Sequence, residues 1–183
     1  MAALHRGWAA DLHHYWFHVL TPDDWYRGGP HVDAALQQRF GRWVEPLSAR
    51  PAQEFFGSPR MALAAILLFD QLPRNLYRDS RAAFSHDGLA LSLAVQAIAR
   101  GWHHALDRHE RQFLGMPLMH GEDRAVQNAS LAYFTRFAPS SRAFAKSHRD
   151  VVLRFGRFPH RNDVLDRRST AAEKRAVASG LAW

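Results

Sequence analysis

Residues 58–78 read SPRMALAAILLFDQLPRNLYR. Ser58-Pro59 is a helix start, an N-cap hydroxyl followed by proline at the first helical position. From Met61 to Phe69 the run is apolar on nearly every face, which predicts a central helix buried on most sides. Asp70, Gln71, Arg74 and Asn75 follow at once, around Pro73. Free carbonyls at a helix C-terminus favour a cation, which accounts for Arg74. They do not account for Asp70 and Gln71. Polar groups at the end of a core helix cost free energy unless paired, so both are expected to be hydrogen-bonded.

The same grammar returns at residues 155–170, FGRFPHRNDVLDRRST. Gly156 suits the left-handed residue that ends a helix, and Pro159 prevents its resumption. Arg157, His160, Arg161, Asn162, Arg167 and Arg168 lie within this stretch, and His148 and Arg154 lie on the helix before it. Two helix exits rich in Arg and Asn suggest one polar site. Its expected ligand-binding members are Asp70, Gln71, Arg74, Asn75, His120, Glu122, His148, Arg154, Arg157, His160, Arg161 and Asn162. His120 and His160 are the candidate catalytic groups, because an imidazole titrates near working pH. His120 and Glu122 read as a proton-transfer pair or as contacts to a bound cation.

Outward from these stretches the pattern is helical throughout. Leu4–Leu20 places apolar residues at three- and four-residue spacing, and Thr21-Pro22 stops it. A loop to Pro30 carries Trp25 and Tyr26. Asp33 is expected to cap a helix through Ser48, bent or shortened by Pro46. Arg50–Gly57 reads as irregular, and Asp79–Phe84 as a helical turn. Ser85 is expected to cap a helix to Arg100, closed by Gly101. Trp102–Leu114 reads as a helix ended by Gly115 and Pro117, and residues 120–123 as the opening of another to Phe137. Pro139-Ser140-Ser141 starts the last long helix, and Thr170-Ala171-Ala172-Glu173 is a capping box. No hairpin alternation occurs. The expectation is an all-α single domain, residues 1–183, of about seven or eight helices packed as antiparallel pairs.

Metal chemistry has little support. His14 and His18 stand four apart, but no carboxylate accompanies them at the usual offsets. His86-Asp87 invites comparison with metal-dependent phosphohydrolases, yet an acidic residue in a first helical turn is favoured by the macrodipole anyway. The chain has no HExxH pattern and no cysteine, which excludes disulfides and thiolate chemistry. No metal or cofactor is therefore expected.

With 183 residues the chain can bury about 70% of its unfolded surface in one domain. It is 47% hydrophobic and 12% aromatic, as a packed globule requires. The net charge is +7, and the cations are almost all arginine, which binds carboxylate and phosphate with a planar fork. That balance allows phosphate-bearing partners, including RNA and anionic metabolites. The N-terminus lacks an apolar signal core, and the longest apolar run is far short of the ~20 residues of a membrane helix. A soluble cytoplasmic protein, not bound to membranes, is the expectation.

Four motifs in order, FDQLPRNLYR (69–78), AFSHDGLAL (83–91), FLGMPLMHGED (113–123) and FGRFPHRN followed by ST (155–170), resemble those of the bacterial domain of unknown function 924 family. The resemblance spans nearly the whole chain. It implies an all-helical, tetratricopeptide-like domain packed as helix pairs around a concave surface, and it carries no activity. The family usually has Gly where this sequence has Asp166, and its segment between Ser48 and Ser58 is more regular.

Three functional readings follow. The first is a binding protein whose Arg/Asn/His cluster holds an anionic small molecule or a protein partner. The second is a hydrolase or transferase with a histidine general base. The third is a scaffold or RNA-associated helical protein. Beside them stands an architectural reading, in which the Arg, Asp and Asn side chains satisfy helix carbonyls and one another in a buried network.

Overall fold

A computed structural model describes residues 4–180, with side chains from Gly7 onward. The fold is all-helical, with nine helices among the described residues and no strand. The first comprises α1 (Leu4–His14) and a wider π turn, Tyr15–Val19. After the short α2 (Pro22–Tyr26), α3 (Pro30–Leu36) runs through a π turn, Gln37–Gly41, into α4 (Arg42–Ser48). In the same way α5 (Pro59–Ile66) passes through Leu67–Gln71 into α6 (Leu72–Leu76). Then come α7 (Asp87–Ala99), α8 (Arg108–His120), α9 (Arg124–Phe137), α10 (Arg142–Phe155) and α11 (Ala171–Ala178).

The apolar run behaves as its composition requires. Ser58 Oγ accepts from Met61 N at 3.1 Å, and every residue from Ala62 to Asp70 is fully buried. α5 packs against α1, α7 and α8, so beyond its first turn no side of it meets water. The helix does not stop at Phe69. Leu72 N–H reaches back five residues to Leu67 O, and the wider turn carries the chain on through Pro73. Two side chains occupy carbonyls there: Arg74 Nη1 donates to Asp70 O at 2.5 Å, and Asn75 Nδ2 to Gln71 O at 3.1 Å.

α8, α9 and α10 are joined by short connections, residues 121–123 and 138–141, and consecutive helices pack on one another. The expected break at Gly115 and Pro117 is absent, and α8 runs unbroken to His120. Gly115 lies under the Tyr133 and Phe134 rings of α9, where an added Cβ would collide with Tyr133. It is there for helix contact, not termination. As a result His120 closes α8 instead of opening α9, whose N-cap is Asp123.

Several boundaries differ from expectation for local reasons. The loop before Pro30 contains α2, whose capping box joins Thr21 and Asp24. Gly29, not Asp33, precedes α3, and Asp33 instead accepts from Arg78 at 2.6 and 2.9 Å. Pro46 lies in the last turn of α4, where the helix runs on to Ser48. Ser85 Oγ donates back to Ala82 O, and α7 begins at Asp87 without a side-chain cap. Residues 102–105 form a separate 3-10 turn, and a capping box at Asp107 and Glu110 starts α8. At residue 166 Asp occupies the left-handed backbone, φ 54°, so the turn keeps a glycine-like conformation without glycine. Gly156, at φ 74°, ends α10 as expected.

Candidate functional site

The two helix exits meet. Asp87, at the first position of α7, receives both Arg74 and Arg161. Arg74 Nη1 and Nη2 donate to its two oxygens at 2.9 and 3.0 Å, while Arg161 Nη1 lies 3.4 Å from Oδ2. An acidic first-turn residue suits the helix dipole, but here it also joins the end of α6 to the turn at Pro159–Arg161. The sequence reading missed Asp87 as a member of the cluster, because the dipole already explained it.

Asp70 lies behind this pair. Its carboxylate is fully buried, and Oδ1 accepts from His120 Nδ1 at 2.7 Å. The Gln71 amide donates to the other oxygen, and Arg74 Nη1 is 3.4 Å from Oδ1. Burial alone would raise the pKa of Asp70. The His120, Arg74 and Gln71 contacts outweigh it and hold the group far below the usual carboxylate range. Burial and the Arg74 charge lower the His120 pKa against the pull of Asp70. A neutral ring donating from Nδ1 to Asp70 has Nε2 as its basic nitrogen. His120 thus pairs with Asp70, fifty positions away, and not with its neighbour Glu122.

A cleft of about 990 Å³ opens over these residues. Gln71, Arg74, Asn75, His120, His148, His160 and Arg161 line its polar part, together with Arg27, Arg78 and Arg108, and Trp25, Tyr26, Met116, Met119 and Phe144 line an apolar part. Asp70 and Asp87 are behind the wall, and the carboxylate in the wall, Asp79, is on the exposed rim. His148 Nδ1 donates to Phe144 O at 2.9 Å. Burial pushes both His148 and His160 down to about 4, so both rings are neutral at pH 7.

The Arg161 side chain is less exposed than that of Arg74. Its guanidinium packs on the Phe84 and Phe158 rings at 4.7 and 4.6 Å and donates to His120 O at 3.2 Å, where α8 runs out of intrahelical partners. Its Nε is buried without a partner among the described residues. Burial and the neighbouring Arg74 push its pKa down to about 10, even with Asp87 opposite.

Four expected members of the site lie elsewhere. Arg154 is exposed over the Phe155 ring. Arg157 donates to both Glu173 oxygens at 2.7 and 3.0 Å and to Arg168 O at 2.9 Å, which ties α10 to α11. Glu122 accepts from Phe158 N at 2.8 Å and from Arg167 at 2.7 and 2.9 Å, and it lines a smaller cavity of about 320 Å³ with Asp87 and Arg161. Asn162 is fully buried, donates to Ser169 Oγ at 3.0 Å, and its carbonyl accepts from Arg167 N at 2.8 Å. These three hold the 157–170 segment against the body. Sequence proximity joined them to Arg161 and His160, but residues a few positions apart in a turn face different ways. Among the described residues no group of three or more His, Asp or Glu side chains is placed to hold a metal ion. None of the described helices is long and apolar enough to cross a membrane.

A solved structure of a protein of unknown function from Agrobacterium tumefaciens, ATU0120, is similar with a TM-score of 0.90 and 34% identity. The match covers 98% of this chain and 99% of that one. No curated protein matches. The family model for bacterial proteins of unknown function (DUF924) matches residues 12–180, and the chain belongs to that family.

Proposed function

We propose that the cleft binds an anionic small molecule, whose charged group is received by Arg161 with Arg74 and His120 beside it. The observation that carries the reading is the state of Arg161: a buried guanidinium with one long ion pair, an unpartnered Nε and a lowered pKa. A desolvated cation of this kind gains from an incoming anion, and a guanidinium offers bidentate donors for it. Arg74 and Arg161 line the cleft while the carboxylates that balance them stand behind, so the face toward a ligand is positive. The neutral histidines supply hydrogen-bonding groups without adding charge.

Thermal denaturation of the purified protein against carboxylates, inorganic phosphate and nucleoside monophosphates tests it. A saturable rise in midpoint is expected with at least one class, as for any ligand that binds only the folded state. Arg161→Gln should remove the rise. Silence across the panel, or an undiminished rise in the variant, overturns the reading.

A second reading is favoured by one observation, the 2.7 Å contact between His120 Nδ1 and buried Asp70. A carboxylate that orients a neutral imidazole toward a cleft is the arrangement of a general base. His120, one of the two candidate histidines, has such an orienting carboxylate. Hydrolysis of nitrophenyl carboxylic or phosphoric esters should then fall with acid through an ionisation below 6.5 and vanish in His120→Gln. A rate unchanged in that variant removes it. The RNA-associated reading has weaker support, since Arg74, Arg78, Arg81, Arg157, Arg161 and Arg167 are each paired with a carboxylate of the chain itself.

A further inference from the structure

We infer that the anion taken by the cleft is an amphipathic monocarboxylate, with its carboxylate on Arg161 and its apolar body along the wall toward the mouth. This rests on the anion-binding reading and narrows it to one ligand class. Size is the first consideration. A cleft of about 990 Å³ is at the upper end of the roughly 300–1,000 Å³ typical of small-molecule sites, and acetate or inorganic phosphate would leave most of it empty.

The wall is the second. Four large hydrophobic side chains stand exposed among the described residues, and two of them, Tyr26 at 57% and Phe144 at 59%, line this cleft. They come from α2 and α10, far apart in sequence, so local composition does not explain their meeting. Trp25, Met116 and Met119 continue the apolar surface inward. Trp25 is fixed by its Nε1–H bond to Trp16 O at 2.8 Å and by the Phe113 ring, 5.2 Å away. The two thioethers can adapt to an irregular chain or ring. Apolar groups gathered in one concavity are an interaction surface, unlike single exposed residues.

Charge is the third. The floor network holds two guanidiniums, Arg74 and Arg161, and two carboxylates, Asp70 and Asp87. Arg74 engages both carboxylates, and Arg161 reaches one of them at 3.4 Å. One further negative charge completes Arg161. A second, as on a phosphate monoester dianion, would be set against Asp70 and Asp87 where water screens little.

Calorimetric titration of the full chain with acetate, butyrate, octanoate, octanol and octyl phosphate, each below its micellar concentration, tests the inference. Affinity should climb from butyrate to octanoate by up to about fourfold per methylene, the value for full burial. Octanol and octyl phosphate should bind at least about tenfold more weakly, the loss of one charge-assisted contact. Phe144→Ala and Tyr26→Ala, at exposed positions, should weaken octanoate several-fold and leave acetate unchanged. Arg161→Gln should weaken octanoate by at least about tenfold, to the level of octanol. Equal affinity at all chain lengths overturns the amphipathic ligand and leaves the anion site standing. Tighter binding of octyl phosphate, or a response to nucleoside monophosphates with none to octanoate, overturns the carboxylate. Silence toward every anion removes both readings.

Discussion

Arg157 and Arg161 stand four positions apart in one turn-forming stretch, and they end in opposite situations. Arg157 is part of a clasp: Glu173 receives it with both oxygens, Arg168 O accepts a third bond, and Thr170 N–H bonds the same carboxylate at 2.7 Å. The Glu173 pKa falls to about 2, chiefly through the Arg157 hydrogen bonds and then that of Thr170 N–H. Arg157 Nε and Nη2 both have acceptors within the fold. Arg161 is buried between aromatic rings, has a long ion pair and keeps an unused donor. Satisfied polar networks hold structure together, whereas an under-satisfied cation facing a cleft is the feature on which the anion-binding proposal rests.

The largest effect expected from breaking this contrast is at Asp87. Asp87→Ala leaves two guanidiniums without their shared partner and should cost about 3 kcal/mol, read from urea unfolding. If the midpoint hardly moves, Arg74 and Arg161 have solvent or other partners enough. Next comes the exchange of roles between the two arginines. Arg161→Gln should reduce anion affinity by about tenfold or more, the worth of a charge-assisted contact, and shift stability by no more than about 1 kcal/mol. Arg157→Gln should leave affinity intact, lower the unfolding midpoint and move Glu173 back toward its ordinary pKa. The opposite pattern would reassign the two sites.

Acid sharpens the comparison further. His148 and His160 have folded pKa values near 4 against 6.5 unfolded. The unfolded chain therefore binds more protons between those values, and the stability they contribute above pH 6.5 is lost as pH falls toward 4. Glu173 falls from 4.5 to about 2, so its contribution is present above 4.5 and lost only below it. Urea midpoints should decline first from the cleft, and His148→Gln should flatten the limb between pH 6.5 and 4. A midpoint that stays level until pH 4.5 would mean that the rings are already protonated in the folded protein. The smallest effect is at the cap: Thr170→Ala should cost about 1 kcal/mol without touching ligand affinity.

Much of the fold was legible because its signals are local. Ser58-Pro59, the left-handed Gly156 and the Thr170–Glu173 box each involve groups within a turn of one another, and each is found where the sequence places it. The burial of residues 62–69 follows from their having no polar face. Gly115 and Pro117 misled for a tertiary reason. Glycine marks a helix end when it needs positive φ, but here it makes room for Tyr133. Asp166 is the reverse case, since it takes a backbone more often given to glycine.

The candidate site was half legible. Asp70, Gln71, Arg74, His120 and Arg161 could be suspected as polar residues beside buried runs, and they do converge. Glu122, Arg157 and Asn162 carried the same signal and turned to architecture, because the direction of a side chain in a turn depends on what packs against it. Asp87, Tyr26 and Phe144 carried no distinguishing signal. An acid at a helix start and an exposed aromatic are ordinary until two distant helices bring them to one cleft. The sequence by itself determined the helical class, the central helix, the caps at Ser58, Gly156 and Thr170, and the need to pair Asp70 and Gln71, because propensity, burial and capping act over a few residues. Only the tertiary structure decided that Asp70 meets His120, that Asp87 joins both arginines, and which of two arginines four residues apart faces the cleft. Those pairings span many turns of chain and depend on how α6, α7, α8 and α10 pack.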